Sequence, residues 1–307
     1  MAQASAVAWQ NRTVAAAAMI GAFALIIGYI DNYVRVIAEE IGLWQFQALR
    51  SALMIPLLVA AVPLLGLRLR PVAPRAVLAR SLVHAIGMLL YFGALAFLPV
   101  AQAVAGLFSA PFFVLLIQRV FYRQRISPFS VAAVALGFLG ILLVLGPGAA
   151  GGFGPASLLP VAGGAFYALG NIATRAWCAR ESVATLTVGY MAALGLIGLV
   201  GMTAMALLAP EAAAGAEGFL LRGAAWPSAT VWFWVAVQSA GSLLGVGLLV
   251  RGYQLTEASQ ASVFEYSVLP AAALWGWLLW GQVPGVAAAA GMGLIVAAGV
   301  LIALRRR

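Results

Sequence analysis

Apolar residues run along this chain in ten blocks separated by polar breaks, at about 14–36, 43–66, 76–97, 100–121, 129–146, 157–178, 183–208, 229–252, 257–280 and 286–304. A helix needs roughly 20 residues to cross the hydrocarbon core of a bilayer. The pattern therefore predicts an all-α integral membrane protein with ten transmembrane helices, most joined so briefly that successive helices are antiparallel neighbours. Val14 to Ile30 is long for the apolar region of a signal peptide and lacks a small-residue cleavage site, so it reads as the first retained helix. Two breaks are longer. GPGAAGGFGP at 146–155 lies near the midpoint, and the stretch from Pro210 to Ser228 carries Glu211 and Glu217. The predicted organisation is an N-terminal segment 1–13, five helices in 14–146, a linker 147–156, five helices in 157–304 and a tail 305–307.

Composition agrees. The chain has 307 residues, 64% hydrophobic and 8% charged, against about 45–50% and about 25% in soluble domains. Disorder is excluded as well, since it requires low hydrophobicity. All 17 basic residues are arginine and the formal net charge is +9, yet no basic patch alternates with aromatic residues as a nucleic-acid groove would need. Instead 14 of the 17 arginines, among them Arg68, Arg70, Arg75, Arg80 and the tail Arg305 to Arg307, fall on one set of faces. By the positive-inside rule both termini are then cytoplasmic. One cysteine (Cys178) and one histidine (His84) leave no metal-ligand cluster and little for redox or hydrolytic chemistry. An enzyme is not expected, nor a cofactor, a metal or a nucleic-acid partner.

The two halves carry faint internal similarity. A shift of 158 residues sets AQAVAGLFS (Ala101 to Ser109) on SQASVFEYS (Ser259 to Ser267), pairing Gln102 with Gln260 and Ser109 with Ser267. A shift of 140 pairs Asp31 with Asn171. Five helices is an odd number, so the second half enters the membrane from the opposite side. Inverted repeats of this kind belong to secondary transporters, whose site lies near midplane between the halves.

Polar side chains cost a few kcal/mol facing lipid at midplane, on the order of 2.5–3.5 for an ionised one on insertion scales, and so face the bundle interior or a wet cavity. Arg50, His84, Gln238 and Glu265 lie near mid-span; Gln102, Ser109, Gln260 and Ser267 lie nearer the ends, and Asp31 and Asn171 near the mouths. Glu265 reads as a receptor for a substrate ammonium or a proton, or as a structural carboxylate neutralised within the bundle. Arg50 offers a cation to a substrate carboxylate, or pairs internally. His84 is either a proton relay or a hydrogen-bonded packing residue. Gln102 with Ser109, and Gln260 with Ser267, are seven apart and share helix faces, so they line one cavity or hold helices together. Tyr91, Tyr167, Phe108, Tyr266 and Trp275 are cavity candidates, whereas Trp44, Trp226, Trp232, Trp234, Trp277 and Trp280 suit an interfacial belt. Gly285, Ala289, Gly293 and Ala297 form a small-residue stripe suited to close packing or dimerisation. Pro111 and Pro270 are expected to bend their helices.

YFGALAFLPVAQAVAGLFSAPFFVLL (Tyr91 to Leu116), then ISPFSVAAVALGFLGILLVLGP (Ile126 to Pro147), resembles the EamA repeat of the drug/metabolite transporter superfamily. LTEASQASVFEYSVLPAAALWGWLLWGQ (Leu255 to Gln282) is similar to a second copy, and QALRSALMIPLL (Gln47 to Leu58) to the family's second helix. The resemblance implies a ten-helix inverted repeat working by alternating access around a cavity formed largely by spans one, three, four, six, eight and nine. A glutamate common after the fourth and ninth helices of the family is replaced by Gln124 and Gln282. Bacterial members export aromatic amino acids, threonine or homoserine, or carry riboflavin or S-adenosylmethionine. The expectation is a secondary transporter exporting an amino acid, aromatic or neutral. Uptake of a larger metabolite such as riboflavin or S-adenosylmethionine is the alternative, and a non-transporting scaffold or membrane-embedded enzyme a third class. The expected partners are the lipid bilayer and a small molecule. Coupling to protons through Glu265 is one option, and monomer and homodimer are both open.

Overall fold

A computed structural model describes residues 2–94, 106–145, 158–208, 210–281, 283 and 285–303. Its helices are α1 (Ala2–Asp31), the short α2 (Val34–Ala38), α3 (Leu43–Leu65), α4 (Pro74–Ala94), α5 (Ala110–Val120), α6 (Pro128–Leu145), α7 (Leu158–Ala176), α8 (Val183–Leu208), α9 (Ala229–Leu255), α10 (Ala258–Glu265), α11 (Val268–Trp280) and α12 (Val286–Ala303). The described residues contain no strand. Six segments are long and apolar enough to cross a membrane, α1 with α2, α3, α4, α8, α9, and α10 with α11; α5, α6 and α12 are shorter apolar helices. With α7 these supply the ten crossing segments that the apolar pattern predicts, and the protein is a multi-pass membrane protein. The linker 147–156, Gln102 and the tail lie outside the described residues.

Helix pairing is unchanged when the halves are exchanged. The α1·α9 contact becomes α7·α4, and α1·α11 becomes α7·α5; α3·α8 and α6·α12 map onto themselves. That is the packing signature of an inverted five-helix repeat. Small residues make the seams possible, because without a hydrophobic drive in lipid the helices associate through close backbone packing. A Cβ on Gly87 of α4 would fall 2.8 Å from the Tyr167 nitrogen and 2.9 Å from the Gly163 oxygen of α7, and one on Gly198 of α8 would fall 2.8 Å from the Ala48 nitrogen of α3. The Gly285, Ala289, Gly293, Ala297 stripe is not such a seam. All four residues are exposed, and α12 instead meets Gly140 of α6 through Gly291 and Ile295.

Three features differ from the sequence expectation. The helix that was expected to begin near residue 14 begins at Ala2, since the first residues are rich in alanine, the best helix former, and contain neither glycine nor proline. Span nine is two helices, α10 and α11, broken at Tyr266 and Ser267. Span four carries the matching break at Phe108 and Ser109, ahead of α5. Pro111 and Pro270 sit in the first turn after each break, where a missing N–H is tolerated. In both breaks a serine hydroxyl donates to the carbonyl three residues back, Ser109 to Gly106 and Ser267 to Phe264, each at 2.6 Å. Third, Arg80, counted among the surface arginines that set topology, is 1% exposed. It donates from Nε to Thr174 Oγ1 at 3.0 Å and from Nη1 to the Leu186 carbonyl at 3.2 Å.

The loops at the two ends are fastened in equivalent ways. At the end where α1 finishes, Gln45 exchanges two hydrogen bonds with the backbone of Ala225 at 2.6 and 2.9 Å. Nearby, Glu40 accepts from the Ser228 nitrogen and hydroxyl, each at 2.8 Å. At the opposite end Glu181 accepts from the backbone nitrogens of Val72 and Ala73 at 3.0 and 2.5 Å, and Thr185 donates to the Arg68 carbonyl. In each case the start of the second helix of one half grips the loop between the second and third helices of the other.

Candidate functional site

A cavity of about 520 Å³ lies between the halves. Its walls come from α1, α3, α4, α7, α8, α9 and the broken span nine, with Leu107, Phe108 and Pro111 from span four. Its lining includes Asp31, Asn32, Ala38 and Phe219, near the end where α1 finishes, and Ser262 and Glu265 of α10. Most of the lining is apolar or aromatic, including Phe23, Met88, Tyr91, Phe92, Tyr167 and Tyr190, and the few polar groups are Asp31, Asn32, Arg50, His84, Ser242, Ser262 and Glu265. Binding sites for organic ligands have this composition, with volumes of about 300–1,000 Å³.

Glu265 ends α10 at the break. Its carboxylate accepts from Tyr167 at 2.5 Å on one oxygen, and from Asn171 Nδ2 at 3.1 Å and the Tyr253 hydroxyl on the other. Asn171 also donates to the Tyr253 hydroxyl at 3.0 Å. Three protein donors from α7 and α9 thus converge on one buried carboxylate, tying both helices to span nine. Burial without such partners would cost several kcal/mol.

Arg50 is in a different state. It is 7% exposed, its guanidinium lies 5.2 Å over the Phe46 ring, and its Nε has no hydrogen-bond partner. Tyr190 is its hydrogen-bonding neighbour, and Asp31 is a further electrostatic one. Asp31 is held at the mouth by Gln238, whose amide donates to the Ile30 carbonyl at 2.7 Å and to Asp31 Oδ1 at 3.4 Å. His84 is buried between Tyr167 and Tyr190, with ring centroids 4.7 and 4.8 Å away, and its ring takes the space a Cβ on Gly170 of α7 would fill.

Seven of the candidate site residues singled out from sequence therefore face the cavity: Asp31, Arg50, His84, Tyr91, Phe108, Tyr167 and Glu265. Asn171 and Gln238 act one step behind them, each holding a lining carboxylate. The rest lie elsewhere. Ser109 and Ser267 close the helix breaks. Gln260 is fully buried and accepts from the Thr256 hydroxyl at 2.6 Å. Tyr266 packs its ring against Gly137 and Phe108. Trp275 donates to the Leu25 carbonyl at 2.9 Å, pinning α11 to α1. Gln102 is outside the described residues. Sequence reasoning missed Tyr190, Tyr253, Ser242 and Ser262. The two serines carry no signal in one dimension, but a tyrosine deep in a predicted span is a polar tip needing a partner, which would have found Tyr190 and Tyr253.

Comparison with known proteins places this geometry. A model of the "EamA-like transporter family" matches residues 14–146. A riboflavin transporter of Rhizobium johnstonii is 30% identical over 227 residues, 73% of this chain and 68% of that protein. One of Brucella anthropi is 25% identical over 73% of this chain and 74% of that protein. The pseudopaline exporter CntI of Pseudomonas aeruginosa is 27% identical over 75% of this chain and 74% of its own length. A crystal structure 22% identical in sequence superposes with a TM-score of 0.74, covering 94% of this chain and 98% of the other, and shows the same fold.

Proposed function

The chain belongs to the EamA-like transporter family, and on that premise we propose that it moves a bulky, ring-bearing organic metabolite across the bacterial inner membrane by alternating access. The observation that carries this reading is the cavity of about 520 Å³ between the halves, walled by Tyr91, Phe92, Phe108, Tyr167 and Tyr190. Rings stack on such walls in offset or edge arrangements, each pair worth about 0.5–1.5 kcal/mol beyond burial. A bare ion would leave most of that surface unpaired. The names of the relatives, riboflavin transporter and pseudopaline exporter, support a substrate larger than a simple neutral amino acid.

Alternating access is supported by the pseudo-symmetric packing. At the end away from Asp31, the Arg80–Thr174–Leu186 contacts and the Glu181 clamp join the two halves. Exchanging the conformations of two structurally similar halves would open that end and close the other. The helix breaks at Ser109 and Ser267 supply equivalent hinges.

Export of an aromatic amino acid is a second reading. A guanidinium and a carboxylate, Arg50 and Asp31, face one cavity and could meet the two charges of a zwitterion. Counterflow with the purified chain in proteoliposomes separates the two. Vesicles loaded with unlabelled riboflavin should accumulate labelled riboflavin, and Tyr167→Ala with Tyr190→Ala should abolish this. Accumulation of labelled tryptophan or phenylalanine with none of riboflavin would replace the first reading by the second.

A further inference from the structure

Two buried charged groups of the cavity differ in how fully their hydrogen-bonding atoms are occupied. Glu265 has both oxygens occupied by Tyr167, Asn171 and Tyr253. Arg50 lines the same space, is nine-tenths buried, and leaves its Nε–H unpartnered. Among the described residues no carboxylate oxygen is within ion-pair distance of its guanidinium. A guanidinium presents five N–H donors in a planar fork matched to a carboxylate or phosphate. Tyr190 offers it a hydrogen-bond acceptor and Asp31 lies in its field, but a desolvated guanidinium with an open N–H is costly to bury.

We infer that the cavity prefers anions: a metabolite that carries a carboxylate or phosphate places that group at Arg50, with its ring among the tyrosines, and binds more tightly than a neutral one of the same shape. The inference rests on the cavity being the substrate site. It differs from the expectation that Glu265 would receive a substrate cation, because that carboxylate already has its three donors. Phe46 backs the guanidinium from one face and so orients its donor edge. Asp31, at the mouth, is the competing carboxylate. Gln238 holds it in place, at a long 3.4 Å contact, and a ligand anion must outbid it for the field of Arg50.

The test is ligand-induced thermal stabilisation of the full-length protein in nanodiscs, with two matched pairs as probes: riboflavin 5′-phosphate against riboflavin, and indole-3-acetate against indole-3-acetamide. In the unaltered protein at least one anion should stabilise at a concentration about tenfold or more below its neutral partner. Arg50→Gln should erase that preference, Arg50→Lys should keep part of it, and Asp31→Asn should lower the concentration of anion required while leaving the neutral compound unchanged. Equal effects within both pairs, a preference surviving in Arg50→Gln, or no stabilisation by either anion would overturn the inference. Should Arg50→Gln fail to fold, the Asp31→Asn and Arg50→Lys comparisons decide it. Discrimination in the indole pair with no binding of either flavin would retain the anion site and discard a flavin as cargo.

Discussion

Replacing Glu265 separates its role as a hydrogen-bond acceptor from its role as a charge. One carboxylate oxygen accepts from Asn171 and Tyr253, the other from Tyr167. In Glu265→Gln the amide oxygen can take the doubly bonded position, and the amide N–H can donate to a Tyr167 hydroxyl that turns to accept. Only the charge assistance is lost, so the expected destabilisation is about 1 kcal/mol. In Glu265→Leu all three donors lose their acceptor in a closed space. Interhelical hydrogen bonds in membrane proteins average about 0.6 kcal/mol and reach about 1.7, so three of them set a loss of about 2–5 kcal/mol. Hydrogen bonds to a charged group in soluble proteins, about 1.5–3 kcal/mol each, argue for the upper part of that range. Reversible unfolding of the purified full-length protein in mixed micelles measures both variants. Tyr253→Phe in each background completes a double-mutant cycle, and it should couple to Glu265 and Gln but not to Leu. If Glu265→Leu unfolds within about 0.5 kcal/mol of Glu265→Gln, the carboxylate does not hold α7 and α9 to span nine and the account of the junction is wrong.

Three other outcomes follow from the same structure. Gly87→Ala should cost about 1–3 kcal/mol, because its Cβ meets α7 backbone, whereas Gly93→Ala, with nothing within 4 Å, should be neutral or slightly stabilising; unfolding in micelles reads the difference. Glu181→Ala should raise amide hydrogen exchange at Val72 and Ala73 about tenfold or more, since both nitrogens lose their only side-chain acceptor at about 1.5–3 kcal/mol each; unchanged exchange would remove the clamp. In a Cys178→Ser background, single cysteines placed at positions 2 and 307 should both react with an impermeant maleimide only from the cytoplasmic side; labelling from opposite sides would refute an even number of crossings.

How much of this was legible in one dimension depends on the kind of physics involved. The membrane class, the ten crossings and the paired halves come from hydropathy and from recurrent residues such as Ser109 and Ser267, because a bilayer imposes length and polarity on every segment separately. The ionisable cavity residues Asp31, Arg50, His84 and Glu265 were visible for the same reason: a charge within an apolar run has to face something other than lipid. Which partner each would find was not visible. Glu265 meets Tyr253 twelve residues before it and Tyr167 ninety-eight before it, and Arg80 looked like a loop arginine until α7 and α8 enclosed it. The Gln260 and Ser267 stripe shares a face only if span nine is one straight helix, and the break at Tyr266 removes that premise.

The sequence alone determined that this protein lives in a membrane and is built twice, since burial in hydrocarbon is decided residue by residue. Tertiary structure decided which buried charge is satisfied and which is left open, since hydrogen-bond partners come from helices far apart in the chain. That difference between Glu265 and Arg50 is the ground for proposing that the cavity prefers anions.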